Sequence, residues 1–256
     1  MADIWQPGFH STAPFRSLRP WVDQLTGPDW PNLEQLNTLA ERQLLINANG
    51  LPVRFATQTQ RCGQHDYEAG ILLGGHVPTR SENWHDLLNA LCWLSLPKTK
   101  LTLNAVQCLA IDPLRPQRGP LSDAATLFDE SGLVIAGPEA SLAQALREKR
   151  WQDAFVRKRA AWANMTVIVV GHAILEKLLS PWPGITAKCT FIDLPANPCL
   201  ETVDAALAKH WLDPATQQSA IEKPADLFPM PVLGVPGWWA ANEDPVYYDN
   251  SNVFRT

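Results

Sequence analysis

One stretch of the chain, TRSENWHDLLNALCWLSLPKTKLTLN, concentrates side chains that can bind metals or transfer protons. Within ten residues it contains Arg80, Glu82, His85, Asp86 and Asn89. If the stretch is a helix, in which successive residues are about 100° apart, Glu82, His85, Asp86 and Asn89 lie along one stripe beside an apolar face. The Glu-x-x-His spacing also lets one helix offer two ligands to a single metal. We therefore interpret this stripe as a candidate site.

A second stretch, GHAILEK, places another histidine beside a carboxylate. His172 and Glu176 are four residues apart, so both point the same way from one helix turn. Gly171 precedes them at a predicted strand-to-helix junction, a position that often borders a pocket. We expect this turn to face the first stripe across a pocket, where His85, His172 and Glu176 would bind a divalent metal.

Further side chains would complete such a site. The predicted catalytic residues are Asp86, Glu176 and Arg80, and the predicted substrate-binding residues are Asn89, Asp123 and Arg118. Asp86 and Glu176 would complete the metal shell or orient a bound water, and Arg80 and Arg118 would hold an anionic substrate. Imidazole and carboxylate ligands together suit zinc, manganese or iron, among which the sequence does not choose.

The function favoured by this set is that of a metal-dependent enzyme, a hydrolase whose metal acidifies a water at neutral pH. Iron with the same ligands would instead suit oxygen chemistry. Two alternatives stay open. One is a metal-free acid–base enzyme that uses His85 and Glu176. The other is a non-catalytic domain that binds a ligand or a protein through its tryptophans, with histidines that only pack. In that case Glu82 serves only the helix start, where Thr79 and Glu82 have the spacing of a capping box.

A third stretch, RGPLSDAATLFDESG, contains adjacent carboxylates at Asp129 and Glu130. We predict a β-hairpin over residues 125–137, with Asp129 and Gly132 at the ends of a type I turn. Because this turn explains both acids, they are not included among the candidate site residues. No G-x-S-x-G, Walker, G-x-G-x-x-G or H-E-x-x-H motif occurs in the chain.

Composition limits the class of protein and its partners. The 256 residues are 46% hydrophobic and 18% charged with a net charge of -5, which indicates a globular chain without a basic surface for nucleic acid. We find no signal peptide and no apolar run of membrane-spanning length, so we expect a cytoplasmic protein that acts on a small-molecule substrate. The five cysteines form no C-x-x-C pair, so we expect free thiols.

Hydrophobic periodicity predicts an α+β or α/β fold in a single compact domain over residues 1–256. We expect a mixed sheet, several helices, and Pro- and Trp-rich segments at 1–31 and 221–256 that wrap irregularly around the rest. Helices are predicted at 32–45, 79–96, 141–163, 171–179 and 199–212, and strands near 53–55, 166–170 and 186–194. Residues 67–75 and 98–111 suit either a helix or a strand.

Five blocks, in the same order, resemble the signature segments of one bacterial family, known as domain of unknown function 3025. The blocks are PTRSENWHDLLNALCWLSLPKTKLTLN, RGPLSDAATLFDESG, GHAILEKLL, PVLGVPGWW and YYDNSNVFRT, and the resemblance runs from about Trp5 to Phe254. The resemblance implies no activity, cofactor or fold, so the function has to be argued from the residues themselves.

Overall fold

The computed structural model describes residues 4–25, 27–58, 63–109 and 119–255, which form helices on both faces of a mixed sheet. This confirms the predicted mixed fold class. The helices are α1 (Arg19–Val22), α2 (Leu33–Arg42), α3 (Gln64–Gly74), α4 (Trp84–Ser95), α5 (Pro97–Leu109), α6 (Pro120–Ser131), α7 (Ala140–Arg147), α8 (His172–Leu178) and α9 (Leu200–Trp211). The strands are β1 (Arg54–Thr57), β2 (His76–Thr79), β3 (Gly132–Gly137), β4 (Thr166–Val169), β5 (Thr186–Asp193) and β6 (Phe228–Pro231).

The larger sheet has the strand order β4-β3-β5-β6, and a separate parallel pair joins β1 to β2. In the larger sheet β3 and β5 run parallel, whereas β4 and β6 run antiparallel to their neighbours. β3 is buried over its whole length. Leu133 and Ile135 face one hydrophobic core, and Val134 and Ala136 face the other, because side chains alternate along a strand. Helices therefore have to cover both faces of this strand.

Two helical layers cover the larger sheet. One layer contains α4, α7 and α8 together with the terminal segments, and the other contains α5, α6 and α9. α5 is tied to α9 by Asp204, whose carboxylate accepts hydrogen bonds from the backbone N–H groups of Lys98 and Thr99 at 3.0 and 2.8 Å. This capping holds α5 in place, and α5 carries several of the polar side chains described below.

The helix predicted at 79–96 exists, and it is the most deeply buried helix of its layer. Its side chains are buried from Asp86 to its end, and Leu88 is fully buried. Trp5 of the N-terminal segment stacks on Trp84 at a centroid distance of 5.1 Å, so part of this segment packs against α4. A helix that is apolar on nearly every side is expected inside a core.

The predicted start of this helix was wrong. Thr79 lies in β2, and Glu82 has a φ of 52°, which is outside the right-handed helical region. Asn83 caps α4 instead, because its side-chain oxygen accepts a hydrogen bond from the N–H of Asp86 at 3.1 Å. The capping box predicted for Thr79 and Glu82 is therefore absent.

The hairpin predicted over 125–137 was also wrong, because α6 continues to Ser131 and passes directly into β3. Gly119 and Pro120 start the helix, and Pro is favoured in the first turn because its missing N–H would have no helical partner there. Ala124, Ala125 and Phe128 then recur at helical spacing on the buried side. The adjacent acids Asp129 and Glu130 therefore lie on a helix and not in a turn.

The single helix predicted over 141–163 is divided into three pieces. α7 ends at Arg147, and Lys149 adopts a φ of 54°. The N–H of Arg150 bonds back to the carbonyl of Ala145 at 2.8 Å, the 6→1 bond of a Schellman C-cap. A π-helical turn over Gln152–Arg157 and a 3-10 turn over Arg159–Asn164 follow.

Most of the remaining expectations are confirmed. The predicted elements near 32–45, 53–55, 166–170, 171–179, 186–194 and 199–212 appear as α2, β1, β4, α8, β5 and α9. The ambiguous stretch at 67–75 lies largely in α3, and the described part of the stretch at 98–111 lies in α5, since residues 110 and 111 are outside the described ranges. The C-terminal segment is more regular than predicted, because β6 pairs with β5. Within the described ranges, no helix combines the length and the apolar character that crossing a bilayer demands.

We predict that Leu88→Ala lowers the free energy of unfolding by about 2–5 kcal/mol, because it leaves a cavity in a fully packed core. Urea-induced unfolding followed by circular dichroism measures this change. Leu73→Ala is the matched control, since Leu73 is also helical but 71% exposed, and its effect should stay within about 0.5 kcal/mol. Equal effects of the two substitutions would contradict the assignment of α4 to the core.

We predict that Cys199 reacts with a thiol reagent before the other three described cysteines. Cys199 is exposed, and a hydrogen bond with Thr202 lowers its pKa. Burial raises the pKa of Cys92 to about 12, and Cys189 is likewise buried with a raised pKa. The reactive species is the thiolate, so mass spectrometry should find label on Cys199 in the native protein and on every cysteine after denaturation without a reductant. A thiol that stays blocked after denaturation would contradict the prediction of free cysteines.

Candidate metal and substrate site

The candidate site lies at the start of β3, one of the two inner strands of the larger sheet. α6 passes into β3 at Gly132 without a loop, and the end of β4 pairs with the start of β3. The N–H groups of Val170 and Gly171 both donate to the carbonyl oxygen of Gly132, at 2.9 and 3.0 Å. The last turn of α6 and the first turn of α8 therefore meet at this end of the sheet.

Gly171 makes this meeting possible because it presses directly on the backbone of α6. A Cβ atom at this position would lie 2.4 Å from the carbonyl oxygen of Glu130, closer than real Cβ contacts allow. With glycine there, the next residue, His172, lies beside the Glu130 side chain. Its Nε2 is 3.6 Å from a carboxylate oxygen of Glu130.

α4 supplies the second histidine, and the two predicted histidines do meet. The Nε2 atoms of His85 and His172 are 3.1 Å apart, and their rings lie nearly perpendicular at a centroid distance of 4.4 Å. His85, His172 and Glu130 each offer one ligand atom, and these atoms all lie within 4.8 Å of one another. Two ligands each about 2.0–2.1 Å from a tetrahedral zinc are roughly 3.4 Å apart, so the spacing suits one shared metal.

The carboxylate of this triplet differs from the one predicted. Glu176 bonds to Nδ1 of His85 at 3.0 Å, on the other side of the ring from the Nε2 that faces His172. Glu130 occupies the place that the sequence assigned to Glu176. The structure therefore gives Glu176 the position of a residue that orients a ligand.

Each histidine has a carboxylate near its Nδ1. Glu176 faces His85, and Asp129 lies 3.8 Å from Nδ1 of His172. Histidines that bind metals generally direct the second ring nitrogen at a carboxylate, carbonyl or water, which sets the tautomer. Burial lowers the pKa of His172 to about 3, so this ring is neutral at physiological pH, as a metal ligand must be.

The adjacent acids of α6 have their pKa values shifted in opposite directions. Burial opposes ionisation of Asp129, but the positive charge of Lys100 outweighs burial and holds the pKa of Asp129 below its usual value. Burial, together with the negative charge of Asp129, raises the pKa of Glu130. Carboxylates separated in this way are typical of catalytic sites, because one stays ionised while its neighbour can exchange protons.

A buried lysine connects the acids to the wall of the site. Lys100, only 3% exposed, forms an ion pair with Asp129 and donates to the side-chain oxygen of Asn89 at 2.9 Å. Asn89 in turn donates to the hydroxyl of Tyr67 at 3.0 Å. The predicted substrate-binding residue Asn89 therefore lines the site, but two neighbours already hold its side chain.

These groups line one side of a cavity of about 280 Å³ between α3, α4, α5, α6 and α8. This volume lies just below the range of pockets that bind drug-sized ligands, so it suits a small molecule. Among the described residues that line the cavity, four are acidic and two are basic: Glu68, Asp86, Asp129 and Glu130 against Arg80 and Lys100. With neutral histidines, the acids exceed the bases by two charges.

Two further predicted residues, Arg80 and Asp86, line this cavity and bind each other. The Arg80 guanidinium contacts both carboxylate oxygens of Asp86 at 2.8 Å, and its backbone N–H donates to the same group at 2.7 Å. Burial of Asp86 opposes its ionisation, but these bonds with Arg80 lower its pKa. The pair therefore fixes the turn that leads from β2 into α4.

Of the two remaining predicted substrate-binding residues, the structure describes only Asp123. Asp123 is exposed on the first turn of α6 and does not line the cavity. Arg118 lies outside the described residues.

Sequence reasoning missed Lys100, Asp129 and Glu130. For the two acids a signal was present, since Gly119-Pro120 marks a helix start and Thr126 and Asp129 are three residues apart on one face. Lys100 gave no such signal, because an isolated lysine on a helix is usually solvated.

Comparison with known proteins adds a family but no activity. The family model described as "Protein of unknown function (DUF3025)" matches residues 53–256, well over half of the chain. Neither the curated proteins nor the solved structures that were compared contain a significant match.

We predict that Gly171→Ala lowers the free energy of unfolding by about 1–3 kcal/mol or more, because its Cβ would push α8 away from α6. Thermal unfolding measures the loss. Gly70→Ala is the control, since a Cβ on this helical glycine meets nothing within 4 Å and should stabilise the helix by about 0.4–1 kcal/mol. If both substitutions stabilise the protein, the close approach of Gly171 to Glu130 is wrong.

Proposed function

We propose a function for this chain from the geometry of its site. The chain belongs to the DUF3025 family, whose description assigns no activity. The protein acts as a metal-dependent enzyme, a hydrolase that holds a divalent metal with His85, His172 and Glu130. Two histidines and a glutamate are the ligand set of one class of catalytic zinc site, which leaves a coordination position open for water. That position would face the polar cavity.

The observation that carries this proposal is the pairing of the two imidazole rings. With Nδ1–H of His85 directed at Glu176, its Nε2 carries a lone pair that points at His172. When both rings are neutral and no metal is bound, the two Nε2 atoms can share a hydrogen bond with Nδ1–H of His85 on Glu176 only if His172 carries its proton on Nε2. Nδ1 of His172 then presents a lone pair towards Asp129 and has no hydrogen-bond partner, which is unfavourable for a buried atom.

A cation between the rings removes this conflict. Both Nε2 lone pairs would then point at the metal, and both Nδ1 atoms would carry protons directed at carboxylates.

The metal would supply an acidified water whose pKa is lowered to about 7. Glu176 and Asp129 then position the two histidines, and Lys100 positions Asp129. Arg80 and Asp86 shape the turn at the edge of the cavity. Zinc, manganese and iron all accept this ligand set, and with iron the same residues would suit oxygen chemistry.

A metal-free acid–base enzyme is the second candidate, and one observation favours it. Glu176 contacts His85, and His85 contacts His172 inside the cavity. This chain of contacts would let a proton pass between Glu176 and the cavity through the two imidazole rings. In either case we propose a small-molecule substrate and a cytoplasmic location. We propose no nucleic-acid partner, since the composition provides no basic surface.

We predict that the purified protein retains close to one zinc or other transition-metal ion per chain after dialysis. His85→Ala and His172→Ala should lose this metal and stay folded, because each removes one of three ligands. Glu176→Gln should weaken metal affinity by about 10–100-fold while leaving the ligands in place. Elemental analysis and competition with a chromogenic chelator measure these changes.

His76→Ala is the control for these variants, because His76 is exposed and lies outside the cavity. It should keep the full metal content. If the unmodified protein binds no metal, or if His76→Ala loses it as readily as His85→Ala, the metal site is wrong. Retention of enzymatic activity without metal would then favour the acid–base alternative.

A further inference from the structure

A tyrosine on the wall of the cavity carries a proton that no described group accepts. Tyr67 on α3 lines the cavity and is partly exposed. Its hydroxyl oxygen accepts a hydrogen bond from Nδ2 of Asn89 at 3.0 Å, and within the described ranges the hydroxyl makes no other hydrogen bond. A hydroxyl group can accept and donate at the same time. The O–H of Tyr67 therefore remains able to donate to a bound molecule.

The direction of the bond between Asn89 and Tyr67 is fixed by the buried lysine. The Lys100 ammonium can only donate, so Asn89 has to turn its carbonyl oxygen towards Lys100, where the distance is 2.9 Å. The amide nitrogen of Asn89 then faces Tyr67 and donates to it. Exchanging the oxygen and nitrogen of Asn89 would place an N–H group against the ammonium. The Tyr67 hydroxyl is therefore an acceptor towards Asn89 and a donor in any second bond.

The same contacts relate this hydroxyl to the proposed metal ligands. Asn89 follows His85 by one turn on the same side of α4, which places their Cβ atoms about 5–6 Å apart. Lys100, which contacts Asn89, also pairs with Asp129, and Asp129 lies 3.8 Å from Nδ1 of His172. A chain of side-chain contacts thus connects the Tyr67 hydroxyl with the surroundings of both histidines.

Tyr67 keeps its proton at physiological pH. Burial raises the pKa of Tyr67 well above its usual value, and the negative charges of Glu68, Asp129 and Asp86 raise it further. These three carboxylates all line the cavity, as does the Asn89 amide that contacts the hydroxyl. The groups around the hydroxyl are therefore cavity groups, and the phenol among them is neutral and able to donate.

We propose that Tyr67 is a catalytic residue that donates a hydrogen bond to the carbonyl oxygen of an ester or amide substrate. This inference rests on the proposed metal-dependent function and specifies its substrate class. Negative charge develops on the carbonyl oxygen during hydrolysis, and a donor already directed at that oxygen stabilises the transition state. A phosphate ester would need cations to balance its charge, and both described cations of the cavity wall, Arg80 and Lys100, are already paired with carboxylates.

The hydrolysis needs no reactant besides the substrate and water. The oxygen of the water forms a bond to the acyl carbon, and the electron pair of the carbonyl π bond moves onto the oxygen that Tyr67 contacts. Return of this pair re-forms the carbonyl and breaks the bond to the leaving oxygen or nitrogen, which takes the proton that the water lost. Tyr67 keeps its own proton throughout. Asn89 and Lys100 are positioning residues, because they orient the hydroxyl.

Three small probes test the inference on the zinc-loaded full chain by isothermal titration calorimetry. Acetohydroxamate binds a metal and presents an oxygen acceptor, imidazole binds a metal and presents no acceptor, and methylphosphonate presents phosphoryl oxygens. Tyr67→Phe removes only the hydroxyl and should weaken acetohydroxamate binding at least about tenfold, the size expected for a hydrogen bond to a charged acceptor. The Kd of imidazole should stay unchanged, and methylphosphonate should bind more weakly than acetohydroxamate.

Tyr247→Phe is the matched control. The Tyr247 hydroxyl also has no hydrogen-bond partner among the described residues, but it lies outside the cavity. Its removal should change none of the three values of Kd.

A second measurement needs no substitution at Tyr67. The chain has three tyrosines, so labelling the ring carbon that bears the hydroxyl with carbon-13 gives three resonances. Tyr247→Phe and Tyr248→Phe assign the resonance of Tyr67 by elimination. Acetohydroxamate should move this resonance downfield, because a phenol that donates more strongly approaches the phenolate. This result is decisive even if Tyr67→Phe does not fold.

The outcomes separate this inference from the proposed function. If acetohydroxamate binds Tyr67→Phe as tightly as the unmodified protein, or leaves the Tyr67 resonance in place, Tyr67 is not the donor and the metal site stands. If imidazole binding falls as much as acetohydroxamate binding, Tyr67 only supports the structure of the site. If methylphosphonate binds as tightly as acetohydroxamate, the substrate class is wrong. If neither acetohydroxamate nor imidazole binds the zinc-loaded protein, the metal site is wrong, and this inference is wrong with it.

Discussion

The candidate site depends on the contact between Gly171 and the end of α6. Because the start of β3 pairs with the end of β4, the two chain segments that adjoin these strands are forced together at one end of the sheet. Gly171 has no side chain to hold them apart, so its backbone packs on the carbonyl of Glu130. His172 follows directly in the chain and must therefore lie beside Glu130. The sheet register thus determines which carboxylate meets which imidazole.

The layers around the sheet determine the rest of the cavity. α4 lies in one layer and brings His85 towards α8, whereas α5 lies in the other layer and brings Lys100 and Asn104. The described residues that line the cavity include residues from helices of both layers, at the end of the sheet where α6 meets α8. Polar side chains from both layers can meet there without crossing the hydrophobic cores. This arrangement explains how a chain with two apolar cores also contains a polar pocket.

The burial of charge in this pocket is the feature that points most clearly to function. Lys100 and Asp129 are both largely buried, and each would be costly to bury without the other. The two histidines approach through their Nε2 atoms, while carboxylates lie near both Nδ1 atoms. This arrangement supports the proposed metal site, because metal-binding imidazoles generally direct the second ring nitrogen at a carboxylate, carbonyl or water.

The sequence by itself determined the mixed fold class, most helices and strands, and the two histidines. These features depend on local periodicity and on the i, i+4 geometry of single helices, which a sequence contains in full. The tertiary structure decided which carboxylate joins the histidines, because the meeting of Glu130 with His172 depends on strand register between segments some forty residues apart. It also decided the places of Lys100 and Asn104, which come from the opposite helical layer. The interpretation of Arg80 and Asp86 changed for a similar reason. A sequence does not show which charged side chains will pair, and in the fold these two form an ion pair with each other.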